Sequence, residues 1–182
     1  SGERPSFRLE PIAEPNPRAI RAIETADIVV VAPGNLYGSL APALIVPGVG
    51  DALRRSKAFK MYVCNLVTKP GQTDGYDVSD FANEIERLAG GAFLDAVLFN
   101  TETPDDALLE KYAQAGEKSV TFDKQKLHDA PYLAAGTNLL AGAVWQGYNT
   151  ADPIAAHRTL IRHDSAAVAN AIIELYEHAR KQ

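Results

Sequence analysis

One cysteine, one tryptophan and one methionine in 182 residues exclude several kinds of protein at once. Cys64 alone cannot close an internal disulfide. In the apolar run KMYVCNLV it reads as a small buried hydrophobe suited to a reducing compartment, so a cytoplasmic location is expected. Apolar runs such as DIVVVA fall far short of the roughly 20 residues that a membrane-spanning helix needs, and no basic-then-apolar leader opens the sequence. Lysine and arginine never run beyond a pair, and 18 of them face 23 aspartates and glutamates for a net charge of −5. Nucleic acid and anionic membranes are therefore not expected partners. Any phosphate must be met by groups placed one by one. Also lacking are a G-x-G-x-x-G fingerprint, a P-loop lysine, metal-ligand spacing among His128, His157 and His178, and a motif that singles out Ser39, Ser79 or Cys64 as a nucleophile.

What is present is a soluble globular composition, 46% apolar and 23% charged, at a length that fits one domain across residues 1–182. Helical spacing behind Pro17 predicts a helix over 18–25, and the β-branched run at 27–31 reads as a strand buried on both faces. A helix at 49–56 and a strand at 60–66 follow. Next comes an amphipathic helix carrying Val78, Phe81, Ile85 and Leu88 on one face, with Asp77 or Ser79 as its cap. A strand at 95–99 leads to a helix opened by Thr103-Pro104-Asp105-Asp106, then to a strand at 119–122. Further strands are expected at 139–145 and 159–161, and a last helix at 165–180 capped by Asp164-Ser165. The alternation predicts an α/β fold, Rossmann-like and three-layered, with a mostly parallel sheet and helices on both faces.

Open parallel sheets hold ligands at the carboxyl ends of their strands, so the strand-exit loops carry the functional expectations. In APGNLYGS, Gly34 permits close backbone approach, and Asn35, Ser39 and the loop amides offer donors to phosphate oxygens. A plain strand-exit turn explains Gly34 equally well. Gly48-Val49-Gly50 fits a turn and helix start better than a second anion nest. The neighbouring loop, NLVTKPGQTDGY, supplies Asn65, Thr68, Thr73 and Asp74. Asp74 is the candidate metal ligand, through a hydrated magnesium ion. Tyr112 falls among the apolar residues of its helix, and Arg162-His163-Asp164-Ser165 presents a guanidinium, an imidazole and helix amides at one helix start.

The stretches ADIVVVAPGNLYGSLAPALIVPGVGDAL, YVCNLVTKPGQTDGYDVSDF and LIRHDS resemble the C-terminal half of the CofD/YvcK-like family. The parallel segments of its bacterial branch read approximately GPGSLYTS…PNLLVPGI, YVCNVMTQPGETDGY…SDH and RHD. The match runs in order from Arg8 to Ala179. Ala32 before Pro-Gly, Gly38 where threonine is usual, and an unmatched stretch at 131–157 depart from the pattern. The family's opening GGGTG loop and DDGGSSG segment do not occur here, so the chain is expected to be the C-terminal part of such a domain.

The resemblance implies a ligand site at the carboxyl edge of the sheet. For the bacterial branch it implies a regulatory, gluconeogenesis-factor type of protein that binds UDP-sugars and affects carbon metabolism and cell-wall synthesis. For the archetypal members it implies a transferase moving a phospholactyl group from a guanylated donor to a deazaflavin alcohol with magnesium. Carried over, Tyr112 and Arg162 match the tyrosine and arginine associated with UDP-sugar binding, and Gly34, Asn35 and Ser39 match the nucleotide loop. A non-catalytic interaction module and a homodimer remain open alternatives.

Overall fold

The computed structural model describes residues 5–142 and 161–181. Helix α1 (Pro17–Thr25) starts where Asn16 caps it, its side chain accepting from the Arg18 amide, with proline in the first turn where no amide is needed. Strand β1 (Ile28–Val31) follows, then a wide π turn over Leu36–Leu40 that runs straight into α2 (Ala41–Leu44). Its defining bond joins the Leu40 amide to the Asn35 carbonyl, five residues back, at 3.1 Å. Helix α3 (Val49–Arg55), strand β2 (Phe59–Val63), helix α4 (Val78–Leu88) and strand β3 (Ala96–Asn100) come next. Helices α5 (Asp106–Gln114) and α6 (Lys124–His128), strand β4 (Leu133–Thr137) and helix α7 (Ser165–Ala179) complete the described chain.

The four strands lie in the order β1-β2-β3-β4, and every pair is parallel. Strands that advance one place at a time through right-handed crossovers put all their connecting helices on one face. The packing agrees. Tyr62, Val97 and Phe99 point to the side where α2, α3 and α4 bring Leu44, Leu53, Phe81 and Ile85. Alternate residues Val63 and Leu98 point the other way, toward Val168, Ala171, Ile172 and Leu175 of α7. The predicted three-layer α/β architecture with helices on both faces is what forms.

Three capping expectations hold. Asp77 caps α4 in a reciprocal box with Asp80, and Asp105 and Asp164 accept amide bonds at the starts of α5 and α7. Gly48 sits at φ +86° before α3, so the Gly48-Val49-Gly50 stretch is a turn and helix start. Gly50 serves close packing: a Cβ there would meet the Ala89 carbonyl oxygen at 1.8 Å.

One predicted strand does not form as read. Residues 119–122 join no sheet and make only isolated bridges, Ser119 to Val67 and Thr121 to Asp77, because β4 takes the place beside β3. Of the strands expected at 139–145 and 159–161 only residues 139–142 and 161 are described, and there Leu140 makes an isolated bridge to His163. Residues 143–160 lie outside the described set. Among the described residues no single helix is long and apolar enough to cross a membrane.

Candidate functional site

Three segments converge at the carboxyl ends of β1 and β2. They are the exit loop of β1 at 33–36, the exit loop of β2 at 65–73, and residues 161–163 ahead of α7, and they line an open cleft of about 580 Å³. Asn65 ties the first two together. Its amide donates to the Gly34 carbonyl at 2.7 Å while its oxygen accepts from the buried Tyr62 hydroxyl at 2.9 Å. Asn65 thus sets the separation of the two loops as well as lining the cleft.

Gly34 and Asn35 both line the cleft. Asn35 caps the π turn, its side-chain oxygen accepting from the Gly38 amide at 2.8 Å and its carbonyl from the Ser39 amide at 2.8 Å. The amides of residues 38–40 are therefore committed to the turn, and Ser39 lies outside the cleft lining. The backbone donors left for an anion are those of Gly34, Asn35 and Leu36, which make no hydrogen bond among the described residues.

Thr68 lines the cleft while being almost fully buried. Its amide donates to the Lys118 carbonyl at 2.7 Å and its hydroxyl accepts from the Lys118 amide at 3.1 Å, pinning the β2 exit loop to the strand-like segment after α5. Thr73 closes the loop by accepting from the Lys69 amide at 2.8 Å. Asp74 braces the same loop, its carboxylate accepting from the Gly71 amide at 2.6 Å, and it does not line the cleft. Among the described residues no three His, Cys, Asp or Glu side chains are grouped to hold a metal ion. Taken alone, these residues do not fit a magnesium site.

The charge that the sequence as a whole lacks is supplied locally. Lys69 and Arg162 line the cleft with His163, and among the described lining residues one carboxylate, Glu117, stands with them, meeting Lys69 at 3.3 Å. His163 Nε2 lies 3.1 Å from the Cys64 carbonyl, which can only accept, so Nε2 carries the hydrogen and Nδ1 keeps its lone pair. Burial holds the imidazole below its ordinary range, partly offset by that hydrogen bond. Cys64 lies beneath, its thiol pushed up to about 12 by burial against the lowering effect of bonds from Tyr62 and Asn65, which makes it inert as a nucleophile. The helix amides ahead of α7 are occupied by Asp164 and the one imidazole N–H by Cys64, so the expected anion-binding helix start reduces to the side chain of Arg162.

Tyr112 stands behind the cleft. It is 7% exposed and packs with Leu66 and Ile161, and its hydroxyl accepts from the Ile161 amide at 3.1 Å. Its place in the site is to hold the segment that carries Arg162. Sequence reasoning overlooked Lys69 and Glu117. The lysine had a signal, standing just before Pro70-Gly71 on a strand-exit loop, whereas Glu117 reaches the cleft from a turn after α5 that no local pattern marks.

The family model described as 2-phospho-L-lactate transferase CofD matches residues 4–140. A Thermotoga maritima protein provisionally named a gluconeogenesis factor is 37% identical over 175 residues, covering 94% of this chain and 51% of that protein. The gluconeogenesis factor of Bacillus subtilis is 31% identical, covering 89% of this chain and 47% of its own length. A crystal structure of a UPF0052 family member from Bacillus halodurans superimposes with a TM-score of 0.75 at 31% identity, over 88% of this chain and 46% of that one. The chain thus spans about half the length of the relatives it matches.

Proposed function

Since the chain belongs to the CofD family and is similar to gluconeogenesis factors, we propose that its cleft binds the diphosphate of a nucleotide-sugar ligand of the UDP-sugar type, in a regulatory protein of carbon metabolism and cell-wall synthesis. The observation that carries the reading is convergence. A lysine, an arginine and three loop amides that make no hydrogen bond among the described residues line one cleft at the carboxyl edge of a parallel sheet, in a protein of net charge −5. A diphosphate needs several donors around a small volume, and neutral donors from Asn35 and Thr68 stand beside the two cations. In this reading Arg162 pairs with phosphate oxygens, Lys69 adds charge without fixed geometry, and Tyr112 keeps Arg162 in place.

Isothermal titration with UDP-glucose and UDP-N-acetylglucosamine is expected to give saturable binding. Removing a charge-assisted pair is worth about 1.5–3 kcal/mol, so Arg162→Ala should weaken it by roughly tenfold or more. No heat and no thermal shift with any UDP-sugar would discard the reading.

The description of the matching family model favours a second reading, a phospholactyl or phosphoryl transferase. The same cations would then neutralise charge on a transferring group. Since Asp74 and its neighbours do not fit a magnesium site by themselves, no catalytic step is assigned to them. Product formed by this chain from a guanylated donor and a deazaflavin alcohol would move the reading to transferase.

A further inference from the structure

The two exit loops that border the cleft meet a second time, away from it. Tyr37, on the π turn after β1, and Tyr76, at the end of the β2 exit loop, bring their hydroxyl oxygens to 2.8 Å. The Tyr37 hydroxyl also lies 3.1 Å from Oε1 of Glu84, a fully buried carboxylate on α4 that Arg87 grips at 2.6 and 2.8 Å. Neither tyrosine is among the described residues that line the cleft, and both pack against the main core.

The direction of these bonds follows from the chemistry. A carboxylate paired with arginine only accepts, so Tyr37 donates its one proton to Glu84 and its oxygen is left to accept from Tyr76. The chain therefore runs from Tyr76 through Tyr37 to Glu84, each link polarising the next. Burial foremost, with the Tyr76 bond and the Glu84 charge, raises the Tyr37 phenol far above its ordinary range, so it stays a donor. Tyr37 is the second residue of the π turn, directly after the amides of Gly34, Asn35 and Leu36 that border the cleft. Tyr76 in turn packs edge-on to Phe81, ring centroids 5.5 Å apart, and Phe81 lines the cleft.

We infer that the Tyr37–Tyr76 hydroxyl pair, seated on Glu84, is a clasp that fixes the β1 exit loop against the β2 exit loop, which makes both tyrosines positioning residues for binding in the cleft. The inference rests on the anion-binding reading above. A single tie between two loops leaves them free to turn about it, and a second tie removes that freedom. The Asn65–Gly34 bond is the tie at the cleft, and the clasp is the second. A diphosphate needs the loop amides of residues 34–36 and the side chain of Lys69 at once, and these are carried by different loops. Donors already held at the right spacing need no ordering when the ligand arrives, so the clasp acts on affinity without touching the ligand.

Tyr76→Phe cuts the clasp alone: the ring stays against Phe81, and Glu84 keeps its bonds from Tyr37 and Arg87. Isothermal titration with UDP-glucose and with inorganic diphosphate is expected to show both bound about two- to tenfold more weakly by this variant, as the loss of one neutral hydrogen bond implies. The double variant, Tyr37→Phe with Tyr76→Phe, should bind no more weakly than Tyr37→Phe alone, because both changes break the same bond. In nitrogen-labelled spectra of unliganded Tyr76→Phe, the Gly34, Asn35 and Leu36 amides should shift. Ile172→Val, which trims the core on the opposite face of the sheet, lowers stability without reaching the clasp and should keep wild-type affinity. Wild-type affinity in Tyr76→Phe, unmoved loop amides, losses that add in the double variant, or an equal loss in Ile172→Val would each overturn the clasp and leave the anion site standing. If the wild-type chain binds neither UDP-glucose nor diphosphate, the anion-binding reading fails, and this inference with it.

Discussion

The hydroxyl of Tyr112 lies 3.1 Å from the amide nitrogen of Ile161, a residue 49 positions further along the chain, and both side chains are buried against Leu66. One tyrosine on α5 therefore supports the segment that delivers Arg162 and His163 to the cleft. A residue associated with ligand binding need not touch the ligand. It can act by holding the residue that does.

Replacing Tyr112 with phenylalanine keeps the ring and removes the acceptor, leaving the Ile161 amide unsatisfied in a buried place. We expect a loss of about 1–3 kcal/mol in denaturant unfolding, together with weaker UDP-sugar binding. A tyrosine that merely stacked on the ligand would weaken binding without lowering stability. The pair of measurements distinguishes the two roles.

Glu84 is 0% exposed and is held by two Arg87 nitrogens at 2.6 and 2.8 Å and by the Tyr37 hydroxyl at 3.1 Å. Arg87→Ala removes two charge-assisted bonds from a buried carboxylate and is expected to destabilise by about 3–5 kcal/mol. Replacing both residues by methionine should cost less than the single change, since the buried charge then goes with its partner. Equal losses in the two variants, read from chemical denaturation, would contradict that.

Gly50 and Gly71 test two different demands on glycine. Alanine at Gly50 collides with the Ala89 backbone, so α3 must shift, at roughly 1–3 kcal/mol or above. At Gly71 the neighbourhood is open but φ is +73°, and alanine there should cost only about 1 kcal/mol. Thermal melts in which Gly50→Ala is the milder of the two would refute the close packing of α3 on the end of α4.

His163 sets a pH dependence. Burial lowers its proton affinity in the folded state below that of the unfolded chain, so between the two values the unfolded chain binds more protons. Its contribution to stability is complete above about pH 6.5 and is lost as pH falls through the folded value. Asp77 adds a loss at lower pH: burial raises its proton affinity, but the Lys126 bond and the α4 amides outweigh this and hold the carboxyl below its ordinary range. Unfolding free energy should therefore decline from pH 7 to 5, and His163→Asn should flatten that decline.

Much of the fold was legible because local and tertiary signals agree. Pro17 marks the first helix, Asp77, Asp105 and Asp164 cap theirs, and the β-branched residues of β1 form a strand where expected. The misreading came where they conflict. Residues 119–122 have strand-forming side chains but are tied by backbone bonds to the β2 exit loop, while the small residues of β4 carry little strand propensity and still pair along the whole of β3. Gly136 explains that choice. A Cβ there would come within 2.7 Å of the Phe99 ring, so β4 is selected by fit to its neighbour, a property no single segment displays.

The site was legible in outline, since the loops after β1 and β2 and the segment at Arg162 do meet. The roles of single residues were less so. Asn35, Asn65 and Asp74 all have the polar side chains a ligand site needs, and all three are engaged by neighbouring backbone. Whether an amide or carboxylate is spent locally depends on loop geometry rather than on residue type.

The π turn at Leu36–Leu40 has one residue more per turn than an α-helix would, as if a single codon had been inserted at this point of the gene. Relaxing it to α by deletion would rotate the chain before it by about 100° relative to α2, carrying Gly34 away from the Asn65 amide. The cleft's geometry is in this sense a matter of reading length as well as of side chains, and a one-residue indel here would dismantle it while leaving every lining residue in the sequence.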